Sequence, residues 1–465
     1  VKPIVAGYRL SPFLRACRSR FFLEKFLAPR FFLFFMLNIV LENIDVCSPS
    51  DNFHERRHLW IKGDVIHASQ SANVPLKADS EARRIDGRRL AALPGLFDMH
   101  VHFREPGQEY KETIETGAAS AANGGFTGVC CMPNTVPAVD NAPTVEYILN
   151  RGRETLTEIH VCGAITKARE GKELAPMLEL LERGARMFSD DGACVMSAEM
   201  MNRAFKYLKP VDGLISQHCE EHTLTEGFAM HDGEVSAILG LKGYPSIAEE
   251  IIVARDIMLA AYNGACRYHV SHLSSAGSLD LVRQAKLRGE RVTCEVTPHH
   301  FTLTDEAVRR YDSNAKMNPP LRTKMDIEAI IAAIKDGTVD AIATDHAPHA
   351  VHEKEVEFAM AANGITGLET SFGLAMTQLV HAGHIELMRL VELMAVAPRE
   401  ILRLEPVSCV AGAKANLTIV APDEEWTFRA ERSRSKSKNT PFDGFRLKGK
   451  PKYTINRGQL WECDL

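Results

Sequence analysis

No CxxC spacing occurs among the eleven cysteines of this 465-residue chain, so neither a thiolate zinc site nor a disulfide framework is encoded. Cys130 and Cys131 are adjacent and the others are scattered, the pattern of buried free thiols in a reducing, cytoplasmic setting. Long apolar runs are missing too. Near the N-terminus the longest uncharged apolar stretch, residues 31–41, has eleven residues, whereas a membrane-spanning helix needs about 20. No small-residue cleavage site follows it, so no membrane association is expected. Basic charge is not in excess: 55 Lys and Arg stand against 60 Asp and Glu, for a net charge of −5. That balance argues against a nucleic-acid partner. No repeat of solenoid period is visible.

What is present is uneven. Residues 1–35 hold seven Lys or Arg, one Glu and eight of the 21 Phe, which leaves the remaining 430 residues at −11. This segment reads as an extra N-terminal piece outside the fold. Residues 36–93 carry short alternating apolar runs separated by polar turns, as in NIVLENIDV and RHLWIKGDVI, the pattern of a small β unit. From 94 to 404 the rhythm changes. Runs such as GFTGVCCM, EIHVCGAI, CRYHVSHL, RVTCEVTP and DAIATDHA alternate with helix-length segments, among them 248–262, 279–289 and 326–336. Such alternation over some 300 residues, with chemically active residues at the run ends, predicts an α/β fold, a (β/α)8 TIM-type barrel. Short β runs return over 405–465, so both chain ends are expected to build one composite β-sandwich domain. The basic tract 429–438, RAERSRSKSK, has no aromatic residue and reads as a solvated loop or strand edge.

The strongest chemical signal is His100-Val-His102 before a Gly/Pro-containing loop. On a strand, residues i and i+2 point the same way, so two imidazoles at its C-terminal end can converge on one metal. Four further run ends carry similar groups: Asp190 and Asp191 in FSDDG, His218 in QHCE, His269 and His272 in HVSH, and Asp345, His346 and His349 in TDHAPH. Any one of these is commonly a satisfied polar residue. Together, at five barrel-strand ends, they point to imidazole–carboxylate coordination of zinc or a similar divalent ion.

These segments, with PGLFDMHVHFREPG, MPNT and KMNPPLR, resemble class I dihydroorotases of the amidohydrolase superfamily, in order and from about Met36 to the C-terminus. The resemblance implies two zinc ions per chain and the reversible cyclisation of N-carbamoyl-L-aspartate to L-dihydroorotate in de novo pyrimidine biosynthesis. It places His100, His102 and Asp345 on one metal and His218 and His272 on the other, with Asp191 bridging and Asp190 as the neighbouring alternative. His272 is preferred to His269, and His346 is assigned a supporting role. Asp345 is implied as the catalytic group that takes and returns the proton. Arg104 and Asn134 would hold the substrate carboxylate, with Asn318 and His349 as further contacts. The implied partners are the small-molecule substrate and either a second copy of the chain or aspartate transcarbamoylase.

Two rival readings share these motifs. Dihydropyrimidinases, hydantoinases and allantoinases have the same HxH pair but typically bridge their metals with a carboxylated lysine, and FSDDG contains none. An inactive scaffold for aspartate transcarbamoylase would lack ligands, whereas here each expected ligand type is present. Lid candidates are residues 107–110 and 350–358.

Overall fold

The apolar runs pair side by side into a parallel sheet in the structure, a computed structural model that describes residues 37–465. The expected N-terminal segment 1–35 lies outside the described residues. Five strands precede the barrel: β1 (Asn38–Ser48), β2 (Phe53–Lys62), β3 (Val65–Ser71), β4 (Arg83–Asp86) and β5 (Ala91–Pro94). Then come β6 (Leu96–Val101), β7 (Phe126–Cys131), β8 (Glu158–Gly163), β9 (Ala185–Phe188) and β10 (Leu214–Gln217). A two-stranded excursion, β11 (Met230–His231) and β12 (Gly243–Tyr244), precedes β13 (Arg267–Val270), β14 (Val292–Val296) and β15 (Ala341–Ile342). The chain ends with β16 (Leu417–Thr427), β17 (Arg446–Asn456) and β18 (Gln459–Glu462).

Strands β6 to β10 and β13 to β15 form one eight-stranded sheet in sequence order. Its two edges meet where Val101 bridges His346 in parallel register, and the His102 amide donates to the His346 carbonyl at 2.8 Å. The sheet is therefore a nearly closed barrel, with His100 and His102 on one side of the seam and Asp345 on the other. Every residue of β6 and β7 is buried, which explains their near-continuous apolar composition. The helices start earlier than the periodicity suggests because their caps lie upstream. Ser275 accepts from the Ser278 amide at the head of Ala276–Leu287, and Thr323 forms a capping box with Asp326 before Lys324–Asp336.

Both chain ends meet in a second, mixed sheet of order β18-β17-β16-β5-β1-β2-β3, with β4 on β1. The join is β16 against β5, Leu417 opposite Pro94 and Val420 opposite Ala91. Thr418 fastens this sheet to the barrel, accepting from the Leu96 amide at 3.1 Å and donating to the Gly125 carbonyl at 2.6 Å. All ten described cysteines are free, nine of them buried. Among the described residues no helix is long and apolar enough to cross a membrane.

The basic tract departs from the expected solvated loop. Its charged side chains face out, but Ser433, Ser435 and Ser437 are buried. Alternate positions face opposite sides, and these hydroxyls meet acceptors inside the molecule. Ser433 donates to Glu369, Ser435 to Glu112, and Ser437 to the Lys111 carbonyl at 2.7 Å. Composition reported the charged face and concealed the serine face.

Thr418→Val keeps the shape but strands the Leu96 amide and the Gly125 carbonyl. It should cost about 1–3 kcal/mol, measurable as a lowered denaturant midpoint; an unchanged midpoint would contradict this account of how sheet and barrel are joined.

Candidate metal-dependent active site

Each ligand candidate sits at or just beyond the C-terminal end of a barrel strand. His100 and His102 close β6, Asp191 follows β9, His218 follows β10, His272 follows β13 and Asp345 follows β15. In a parallel barrel all those ends open on the same face. Two groups of ligating atoms result: His100, His102 and Asp191, and Asp191, His218 and His272, each within 4.8 Å of one another and all buried. Asp191 belongs to both. Its Oδ1 lies 3.2 Å from His100 Nε2 and 3.7 Å from His272 Nε2, and its Oδ2 lies 3.5 Å from His102 Nε2. Asp345 Oδ1 joins at 3.0 Å from His102 Nε2 and 3.7 Å from His100 Nε2.

The neighbouring alternatives are occupied elsewhere. Asp190 accepts from the Ile165 and Thr166 amides at 2.9 and 3.0 Å and from the Thr166 hydroxyl, so it holds the loop after β8. His269 pairs with Thr293 Oγ1 at 2.8 Å and lies 3.3 Å from Glu295. His346 accepts from the Gly367 amide and lies 3.5 Å from Glu112, behind the seam.

Outer partners determine which imidazole nitrogen faces inward. His100 Nδ1 donates to Glu295 Oε1 at 2.7 Å, His102 Nδ1 to Asn134 Oδ1 at 2.7 Å, and His218 Nε2 to Glu220 Oε2 at 2.9 Å. The other nitrogen of each then presents a lone pair to the centre. His100 Nε2 and Asp191 Oδ1 are buried there with no hydrogen-bond partner. His218 Nδ1 faces His272 Nε2 at 3.0 Å, a contact that needs a shared proton or a cation taking both lone pairs. Orphaned inward donors of this kind fit a divalent cation well. The electrostatics agree. Burial pushes the Asp191 and Asp345 carboxyls up, but the surrounding histidines outweigh it and hold both below the usual carboxylate range. Burial likewise opposes ionisation of Glu295, yet His100 and His269 bring it down to about 2. Arg104, His272 and Asp345 all have positive φ, +60°, +30° and +49°, the backbone strain that gathers at functional sites.

The expected substrate contacts fall into two groups. Arg104 is buried, its Nε donates to the Pro348 carbonyl at 3.2 Å, and one terminal nitrogen lies 3.3 Å from His349 Nε2. Among the described residues it has no carboxylate within ion-pair distance. His349 Nε2 is 2.8 Å from the Asn363 carbonyl; burial, then Arg104, pull its pKa down to about 3, so it is neutral. Asn318 donates to Glu220 at 2.8 Å and leaves its Oδ1 buried and unpartnered. Asn134 lies on the side of the ligand candidates. Its Oδ1 holds His102 and its Nδ2 lies 3.4 Å from Asp191 Oδ2, so it orients ligands.

Sequence reasoning missed Glu295 and Glu220. The signal for Glu295 was a single carboxylate inside VTCEV, an otherwise uncharged strand in which β-branched residues predominate. Replacing Glu295 by Ala frees the His100 ring to turn. Metal affinity should fall roughly 10- to 100-fold, read by competition with a chelator; an unchanged affinity would remove Glu295 from the site.

Known proteins place this geometry in a family. A family model described as Dihydro-orotase-like matches residues 89–278. A dihydroorotase of Syntrophus aciditrophicus is 45% identical over 425 residues, covering 91% of this chain and 99% of that protein. Those of Citrifermentans bemidjiense and Chlorobaculum tepidum are 46% and 49% identical, over 91% and 88% of this chain and 99% and 96% of theirs. Among solved structures, the L-hydantoinase (dihydropyrimidinase) of Arthrobacter aurescens superposes with a TM-score of 0.80 at 24% identity, covering 91% of this chain and 96% of that one. The dihydropyrimidinase of Brevibacillus agri gives 0.79 at 20% identity, over 91% and 94%. Likeness at that level carries the barrel fold, whereas identity of 45–49% over about nine-tenths of the chain carries more: this chain belongs to the dihydroorotase family.

Proposed function

We propose that this chain, an enzyme of the dihydroorotase family, interconverts N-carbamoyl-L-aspartate and L-dihydroorotate in de novo pyrimidine biosynthesis, using two zinc ions. The observation that carries the two-metal reading is Asp191, shared by two groups of buried ligating atoms. His100, His102 and Asp345 would hold one ion, His218 and His272 the other, and Asp191 both. When bound, the two ions supply Lewis-acid polarisation of the scissile carbonyl and ease deprotonation of a water at neutral pH.

The chain's own groups do the rest. Asp345, kept ionised by His102, His100 and His272 against its burial, takes a proton in the hydrolytic direction and delivers it to the leaving ring nitrogen. In cyclisation it accepts the proton of the carbamoyl nitrogen. Arg104 is the recognition element. A buried guanidinium without a carboxylate partner is costly, and the substrate's free carboxylate supplies the charge-assisted fork it lacks. His349, neutral beside Arg104, and Asn318, through its free Oδ1, complete the pocket, while Asn134 serves it from the ligand side. The proposed setting is cytoplasmic, with a homodimer or aspartate transcarbamoylase as the macromolecular partner.

Arg104 also separates this reading from the neutral-ring amidases that share the fold. Zinc-loaded protein should hydrolyse L-dihydroorotate and form it from N-carbamoyl-L-aspartate, with at least about 100-fold lower kcat/KM on dihydrouracil and allantoin. Chelation should abolish turnover and zinc restore it. Preference for a neutral ring, or full activity in the chelated protein, would sink the proposal.

A further inference from the structure

The buried-serine tract continues to Asn439, and this side chain closes on the mouth of the barrel. Asn439 is 5% exposed and both polar atoms of its side chain are used. Its Nδ2 donates to the Ala347 and Gly364 carbonyls, both at 3.0 Å. Its Oδ1 accepts from the His349 amide at 3.0 Å, and its own carbonyl accepts from the Thr366 amide at 2.8 Å. Two of these bonds bracket Pro348, the residue whose carbonyl takes the Nε–H of Arg104. One side chain, some ninety positions away in sequence, therefore clamps the Ala347-Pro348-His349 turn from both sides.

The serines upstream fix where that clamp sits. Ser435 and the Lys436 amide bind Glu112, the amide at 3.0 Å, and Ser437 binds the Lys111 carbonyl. Residues 433–439 thus join the loop after β6, which carries Arg104, to the loop after β15, which carries His349. Gly364 allows the close approach. Its φ is +130°, and a Cβ there would lie 2.6 Å from that of Ala347 and 3.2 Å from His349 Nε2.

We propose that Asn439 is a specificity-determining positioning residue: by holding the Ala347-Pro348-His349 turn it aims Arg104 and His349 at the carboxylate of the substrate. The inference rests on the reading of Arg104 given above. It assigns Asn439 no contact with substrate. Asparagine suits the position because two carbonyls need donors and one amide needs an acceptor, and its amide meets all three. Alanine meets none, and aspartate keeps the acceptor for His349 while losing both donors.

The test compares Asn439→Ala, Asn439→Asp, Arg104→Ala and the Asn439→Ala/Arg104→Ala double variant as full-length, zinc-loaded proteins. Measured for each are kcat and KM on L-dihydroorotate, zinc content and thermal melting. Asn439→Ala should raise KM roughly 10- to 100-fold, with kcat and zinc content nearly unchanged and Asn439→Asp in between. In the double variant the Asn439 change should add little to the Arg104 effect, as expected of residues acting through one contact. A raised KM in Arg104→Ala beside a normal KM in folded Asn439→Ala would overturn the Asn439 assignment and leave the site reading standing. A normal KM in Arg104→Ala would overturn both. Loss of kcat or zinc without a KM rise would make Asn439 a scaffold residue and overturn the assignment, as would failure of both Asn439 variants to fold.

Discussion

Two pairs of imidazoles from different strands lie deep in one barrel mouth, and the Asp191 carboxylate between them makes that arrangement tenable. His100, His218 and His272 would otherwise face one another across a few ångströms of low dielectric. Placing a carboxylate at that point supplies opposite charge to any cation or proton that either pair takes up. It also leaves the site short of positive charge on balance, because Asp345, Glu295 and Glu220 stand close by. A centre with this surplus of inward lone pairs and carboxylate oxygens is organised to receive cations.

The rest of the fold can be understood as what that constraint requires. Parallel strands bring five ends to one face, which no antiparallel sheet of this size would do. The seam between Val101 and His346 sets the β6 histidines against Asp345. Around the ligands a ring of acceptors, Glu295, Asn134 and Glu220, takes the outward N–H groups and so decides which nitrogens point in. Beyond that ring, the C-terminal tract reaches back over the mouth and ties together the two loops bearing Arg104 and His349. The segment between β16 and β17 is thus bonded to two loops at the barrel mouth as well as to its own sheet.

Much of this was legible in the sequence. The barrel strands were visible as apolar runs because burial on both faces leaves little room for other residues. Every ligand candidate lies where HxH, FSDDG, QHCE, HVSH and TDHAPH put it. The choice between Asp190 and Asp191 was not open to spacing alone, since it depends on which carboxylate the Thr166 loop captures. Asn134 was assigned to substrate on the family resemblance alone, and its bond to His102, 32 positions away, leaves no periodic trace. The alternating serines of 433–437 were hidden for a related reason: with no ladder partner, their period of two resembled an ordinary charged loop. Long-range hydrogen bonds, more than hydrophobic pattern, are what the sequence conceals.

The central claim is that one carboxylate serves both metal positions. Metal content per chain in Asp191→Asn, measured after equilibration with zinc beside the unaltered protein, tests it most directly. Loss of affinity at both positions, with zinc falling from about two ions per chain to well below one, is the predicted result. Retention of two tightly held ions in folded Asp191→Asn would contradict the account.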